Sequence, residues 1–290
     1  MGPKGDIDFV FNTMTQDISG WSNSGVAWCL GLLSATFSLS GVDSVIHMSD
    51  KVQNVRTHVP QSIILACVGN SIMLTIFIVV LLFFLGPIEN VANAPLPLIY
   101  VLYGETKSKP TTTALVVLVS WLYFTAMFNI FASVSRLIRA FAKDQGMPFS
   151  NFSCVHPTLE VPTNALMLLG LIVTLLSLIY IGSVTAFNAI ISLQTLGLYF
   201  SYIFPIFFIL LRKLRGPTPP YGPFKIGAWG VPVNIFALCY LLFIITWMPF
   251  HSALPVDQEN MNYAGPIFGG ILLMVLIDWS LNGRNSFRCQ

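Results

Sequence analysis

Apolar positions gather into seven long windows, at about 25–48, 62–86, 111–138, 165–182, 187–211, 231–249 and 263–280. Only Asp43, Arg136 and Asp278 interrupt them with charge. Stretches rich in Pro, Gly, Asn and charge lie between, such as Pro87–Pro110 and Arg212–Gly230, where exposed backbone can meet water. Each window is long enough to cross a bilayer as a helix with some tilt. The run Val161–Leu211 holds 51 consecutive positions without Asp, Glu, Lys or Arg. As one helix it would measure about 76 Å at roughly 1.5 Å per residue, more than twice the ~30 Å hydrocarbon thickness. It must cross twice, and the polar pair Gly182-Ser183 is where it turns.

The pattern predicts an all-α membrane protein of seven transmembrane helices. Residues 1–24 form an extracellular segment, 25–280 the transmembrane domain and 281–290 a cytoplasmic tail. Composition sharpens this: 55% of residues are hydrophobic and 9% charged, against about 25% charged in soluble domains, and the mean hydropathy is +0.75. The net charge of +2 arises from short basic clusters between windows, a pattern that sets orientation and excludes a nucleic-acid partner.

On alternate sides of the membrane, Lys51, Arg56, Arg136, Arg139, Lys143, Arg212, Lys213, Arg215, Lys225, Arg284 and Arg288 stand against Lys4, Lys107 and Lys109. The positive-inside rule therefore puts the N-terminus outside and the C-terminus in the cytoplasm. Trp229, Trp247, Trp279, Tyr100, Tyr103 and Tyr263 fall near window ends, as interfacial anchors do. The sequon Asn151-Phe152-Ser153 then lies in a cytoplasmic loop and goes unused. Cys29, Cys67 and Cys239 sit inside apolar runs, and Cys154 and Cys289 form no evident outside pair or zinc set.

Chemistry concentrates in the first window. The apolar run Val26–Leu39 gives way to Ser40-Gly41-Val42-Asp43-Ser44 and resumes at Val45-Ile46-His47-Met48. Small residues at mid-membrane let a helix unwind, exposing amide and carbonyl groups that a polar substrate or ion can use. His47 follows Asp43 by four positions, on the same helical face. An aspartate at this depth costs about 3 kcal/mol on insertion scales, so it is expected to be paired or to face water. The alternative is that Asp43 only N-caps the second half-helix and that His47 is structural. In the third window Asn129 and Ser133 share a face and could supply oxygens to a site, although such residues also join helices by hydrogen bonds. Asn188, Ser192, Gln194, Thr195 and Ser201 of the fifth window read as packing, with Pro205 predicted to kink it. Gly265, Gly269 and Gly270 offer small faces for close helix approach. No metal cluster, nucleophile motif or phosphate loop is present, so the chain does not read as an enzyme and implies no cofactor beyond a coupling proton.

The stretch from Phe37 to Asp50, Phe-Ser-Leu-Ser-Gly-Val-Asp-Ser-Val-Ile-His-Met-Ser-Asp, resembles the sixth helix of the amino acid–polyamine–organocation permeases. It is most similar to the fungal amino acid/choline branch. The stretch from Ser135 to Ser150, Ser-Arg-Leu-Ile-Arg-Ala-Phe-Ala-Lys-Asp-Gln-Gly-Met-Pro-Phe-Ser, resembles the end of that family's eighth helix and its loop. Pro223–Gly227 and Glu259–Pro266 are similar to segments flanking its eleventh helix. The resemblance implies helices six to twelve of a twelve-helix carrier, the second half of a LeuT-type inverted-repeat transporter with two extra C-terminal helices. It implies a substrate cavity at Phe37, Ser40, Gly41 and Asp43, with Asn129 and Ser133 as further contributors. One departure is Asp50 followed by Lys51, where relatives usually carry two acids.

The expected function is a secondary active permease for amino acids or small amines such as γ-aminobutyrate or choline, in a fungal plasma membrane, lacking its first five helices and driven by protons. Its partners would be a small-molecule substrate and the lipid bilayer. A non-transporting half-carrier pairing with a full-length permease is the alternative. A seven-helix receptor fits less well: the third window ends Ser135-Arg136-Leu137 rather than Asp-Arg-Tyr, and the last lacks Asn-Pro-x-x-Tyr.

Overall fold

A computed structural model describes residues 7–12, 19–49, 52–146, 150–216, 222–258 and 261–283, and every regular element among them is helical. The windows of the sequence become helices because a backbone in lipid must satisfy its own amides and carbonyls. They are α2 (Ser24–Ser38) with α3 (Ser44–His47), α4 (Val55–Phe83), α7 (Lys109–Lys143), α8 (Thr163–Gly182), α9 (Val184–Arg215), α10 (Gly230–Trp247) and α11 (Ala264–Asp278). A five-residue helix α1 (Ile7–Phe11) precedes them. Six of the helices are long and apolar enough to cross a membrane, counting α10 with the turn before it and α11 with the π-turn after it. The first window differs, being divided into pieces of 15 and four residues.

Asn23 caps α2, its side-chain oxygen accepting the Gly25 amide at 2.9 Å. The long charge-free run folds back at the expected place. Ser183 is extended at φ −158°, and its hydroxyl accepts the Ala186 amide at 3.2 Å to cap α9. Pro205 lies inside α9, which continues to Arg215.

The Pro87–Pro110 segment is a correction to its reading as loop. It contains α5 (Ile88–Ala92) and α6 (Pro97–Thr106). Proline at the first helical position is compatible with a helix start, because that amide has no intrahelical partner, and Pro97 begins α6 in this way. The Thr106 hydroxyl meets that of Thr112 at 2.9 Å, tying α6 to the start of α7.

Packing centres on α9, which contacts α8, α10 and α11, while α2 lies along α10. Leu196, Ile244 and Met248 form the buried centre, with Leu33, Tyr199, Phe243, Ile245 and Phe268 around it. Of the three glycines expected to allow close approach, Gly265 does so: a Cβ there would stand 3.1 Å from the Pro249 side chain. Gly269 and Gly270 face open space. Helix α7 touches α3, α6 and α8, largely through its ends, and its stretch Val117–Ile130 holds no buried residue. The Asp50-Lys51 pair, the Met147–Phe149 part of the Ser135–Ser150 stretch, Glu259, Asn260 and the tail beyond Gly283 lie outside the described residues.

Candidate functional site

The interruption between α2 and α3 is built around Gly41, whose φ of +88° is open to glycine and costly for other residues. Helix α2 closes with the Leu39 amide on Ala35 and Thr36, and the Ser40 amide and hydroxyl both turn back to the Phe37 carbonyl, at 3.1 and 2.7 Å. Among the described residues the amides of Gly41, Val42 and Asp43 meet no acceptor in hydrogen-bonding geometry. A Cβ on Gly41 would touch nothing within 4 Å, so the gap faces open space.

Asp43 occupies the capping position of α3, but its side chain makes no capping hydrogen bond. Its carboxylate instead lies 3.8 Å from His47 Nε2 one turn on, both side chains being partly buried. The Tyr202 side chain of α9 neighbours the same carboxylate. From there polar contacts continue across the bundle. Tyr199, one turn before Tyr202, donates to the Thr36 carbonyl at 3.1 Å, and the buried Thr36 hydroxyl is paired with the Tyr240 hydroxyl of α10. This arrangement ties α2, α9 and α10 beside the gap.

The two α7 residues separate. Ser133 is buried and donates to the Ser44 carbonyl at 3.4 Å, holding α3 against α7. Asn129 is exposed on the bare part of α7. Phe37, 45% exposed, lines a cavity of about 650 Å³ between α2, the start of α9 and the α10–α11 loop. That cavity is lined by hydroxyls and amides with aromatic walls, including Ser34, Asn188, Thr195, Phe250 and Asn262, and no charged residue is among its described lining. Asn262 shapes its rim by donating to the Met248 and Phe250 carbonyls at 2.7 and 3.1 Å.

The structure places Ser40 and Gly41 in the interruption between α2 and α3, with Asp43 and His47 3.8 Å apart beside it. Sequence reasoning missed Thr36, Tyr199, Tyr202 and Tyr240. The spacing of Tyr199 and Tyr202, three apart in an apolar helix, is the trace they left.

The amino acid permease family model matches residues 3–276. The chain belongs to that family. Members of it are similar along nearly all of this chain. A Macrophomina phaseolina protein, named for amino acid/polyamine transport, is 32% identical, the match covering 90% of this chain and 58% of its own length. The choline transporter of Saccharomyces cerevisiae is 28% identical over 99% of this chain and 51% of its own. Amino-acid permease 2 of Neurospora crassa is 27% identical over 97% and 52%. The chain thus spans about half the length of the curated relatives it matches. These relatives carry the names of permeases and transporters, not of enzymes. No solved structure matches the chain significantly. The family and the apolar helices together make this an integral, multi-pass membrane protein.

Proposed function

We propose that this chain is the later half of a proton-coupled secondary transporter for amino acids or related small amines such as γ-aminobutyrate or choline. The observation that carries the reading is the open gap at Gly41, where the amides of Gly41, Val42 and Asp43 meet no acceptor among the described residues and the Asp43 carboxylate lies 3.8 Å from His47. Such discontinuous helices serve polar cargo at mid-membrane. The names of the relatives support a small amine as cargo. Their greater length supports a site completed by further helices of a longer carrier.

In this proposal Ser40 and Gly41 offer main-chain groups to the substrate, Phe37 forms an aromatic wall, and Asn129 and Ser133 line the α7 side. Asp43 is the proton-exchanging group. Its carboxylate lies 3.8 Å from His47, so the pair sits where the two halves of the interrupted helix meet. The protein sits in the plasma membrane, N-terminus outside and C-terminus in the cytoplasm, an orientation supported by the distribution of Lys and Arg.

The test is uptake of labelled amines in a permease-deficient yeast. It compares this chain, the chain extended by its upstream coding sequence, and the extended chain carrying Asp43→Asn. The extended protein is expected to accumulate at least one amine, and Asp43→Asn to lose accumulation against a gradient while retaining exchange. An extended protein that moves no amine would sink the proposal.

A second reading is favoured by the bare middle of α7 and by α4, whose most apolar stretch has no buried residue. The chain would pair, without transporting by itself, with a full-length permease. It would then alter uptake by a co-expressed permease while remaining inactive alone.

A further inference from the structure

A second cavity, of about 410 Å³, opens between α3, the last turns of α7 and the turn that precedes α8. Arg136, Arg139 and Lys143 line it from one face of α7, since positions three, four and seven apart stack along a helix. His47 adds an imidazole, and Glu160 is the carboxylate among the described lining residues. Three fixed cations against one acid leave the cavity positive.

Cations at a helix C-terminus near the cytoplasmic surface have an ordinary explanation, as partners of the helix dipole and as topology signals. That explanation covers Lys143, which is exposed at the last turn. It does not cover Arg136, whose Nη1 is buried without a hydrogen-bond partner. Buried donors of this kind are rare in folded proteins, because leaving one unmade forfeits its solvation with nothing in return. Arg139 is held in place by its Nε–H, which donates to the Ser153 carbonyl at 3.3 Å. A guanidinium fork fixed by one bond and a second one lacking an acceptor suit a tetrahedral anion with several oxygens.

We propose that this cavity binds a phosphate group, carried by the headgroup of an anionic phospholipid of the cytoplasmic leaflet. The depth favours a lipid source: the cavity sits where helices end, by the charge distribution at the inner surface, where anionic lipids concentrate. Phosphate oxygens would satisfy Arg136 Nη1 and bridge Arg139 and Lys143. Because His47 of α3 shares the cavity, the bound headgroup would also brace the short half of the interrupted helix against α7.

The test uses the whole chain purified in detergent, followed by intrinsic tryptophan fluorescence on heating and by native mass spectrometry. Three probes are titrated: a short-chain phosphatidylinositol phosphate, short-chain phosphatidylcholine and inorganic phosphate. The anionic lipid is expected to raise the melting temperature saturably and to be retained, and phosphatidylcholine to do neither. Arg136→Gln and Arg139→Gln should each weaken binding at least ~tenfold. Lys143→Gln should weaken it by roughly threefold, and Glu160→Gln should tighten it. Lys143→Gln and Glu160→Gln change exposed residues and keep the test decisive should an arginine variant fail to fold. Protection by the lipid alone assigns the headgroup. Equal protection by inorganic phosphate assigns a free phosphate at the same site. Equal protection by phosphatidylcholine, or affinities unchanged in Arg139→Gln and Lys143→Gln, would overturn the proposal. No transport is measured, so failure here and failure of the transport reading remain distinguishable.

Discussion

Helices α9 and α10 use the same apolar residues as α4 and α7 but keep different company. Across α9 and α10 the side chains of Leu196 and Ile244 are sealed at 1% and 0% exposure. On α4 and α7 the large side chains of Ile76, Trp121 and Tyr123 are 59, 64 and 74% exposed. Lipid tails are as apolar as leucine, so no hydrophobic force distinguishes these surroundings; helix association in a membrane rests on close packing and interhelical hydrogen bonds. Hydropathy therefore reports that a helix crosses and not what it crosses beside. Helices α10 and α11 each pack on α9, whereas α4 and α7 present faces available to other protein or to lipid.

The sharpest test of this contrast exchanges buried and bare isoleucines. Ile244→Ala should destabilise the detergent-solubilised chain by about 2–4 kcal/mol through a cavity at the packed centre. Ile76→Ala should change it by less than about 0.5 kcal/mol. Equal losses in thermal unfolding would mean that α4 is packed after all. Next in size is a pair of threonines. Thr36→Val leaves the Tyr240 hydroxyl without its partner and should cost about 1–3 kcal/mol. Thr125, whose hydroxyl donates only to the Leu122 carbonyl of its own helix, should tolerate valine with no measurable loss.

Gly41→Ala should follow, at about 1–2 kcal/mol. The cost is purely backbone strain, because the added Cβ has free space. Replacement by D-alanine in a semisynthetic chain should restore stability, and failure to do so would indicate that something unseen occupies the gap. The smallest effect is expected at Asn129. Asn129→Ala should leave the unfolding temperature of the chain unchanged, within about 0.3 kcal/mol. A marked loss would show that this exposed amide already has a partner.

Much of the architecture was legible because lipid imposes one rule on every backbone. The window 165–182 became Thr163–Gly182; length required a turn in the run, and the polar pair Gly182-Ser183 placed it. The interruption at Ser40–Asp43 was readable since small and charged residues there break an otherwise continuous apolar run. Two features were not readable. Helices α5 and α6 are short and broken by Asn and Pro, so their helical order comes from contact with each other and with α7. The Thr36–Tyr240 and Thr36–Tyr199 contacts join positions 204 and 163 residues apart. No local periodicity can announce such pairs. Asp43 was expected to be paired, to face water or to cap α3; its side chain makes no capping hydrogen bond and lies 3.8 Å from His47.

One extended residue, Ser183, is all that separates α8 from α9. With so short a connection neither helix can wait in the aqueous exit of the translocation machinery while the other integrates, so the two enter the bilayer as a single hairpin. An insertion of even a few charged residues at that bend should therefore disturb insertion into the membrane far more than packing of the finished protein.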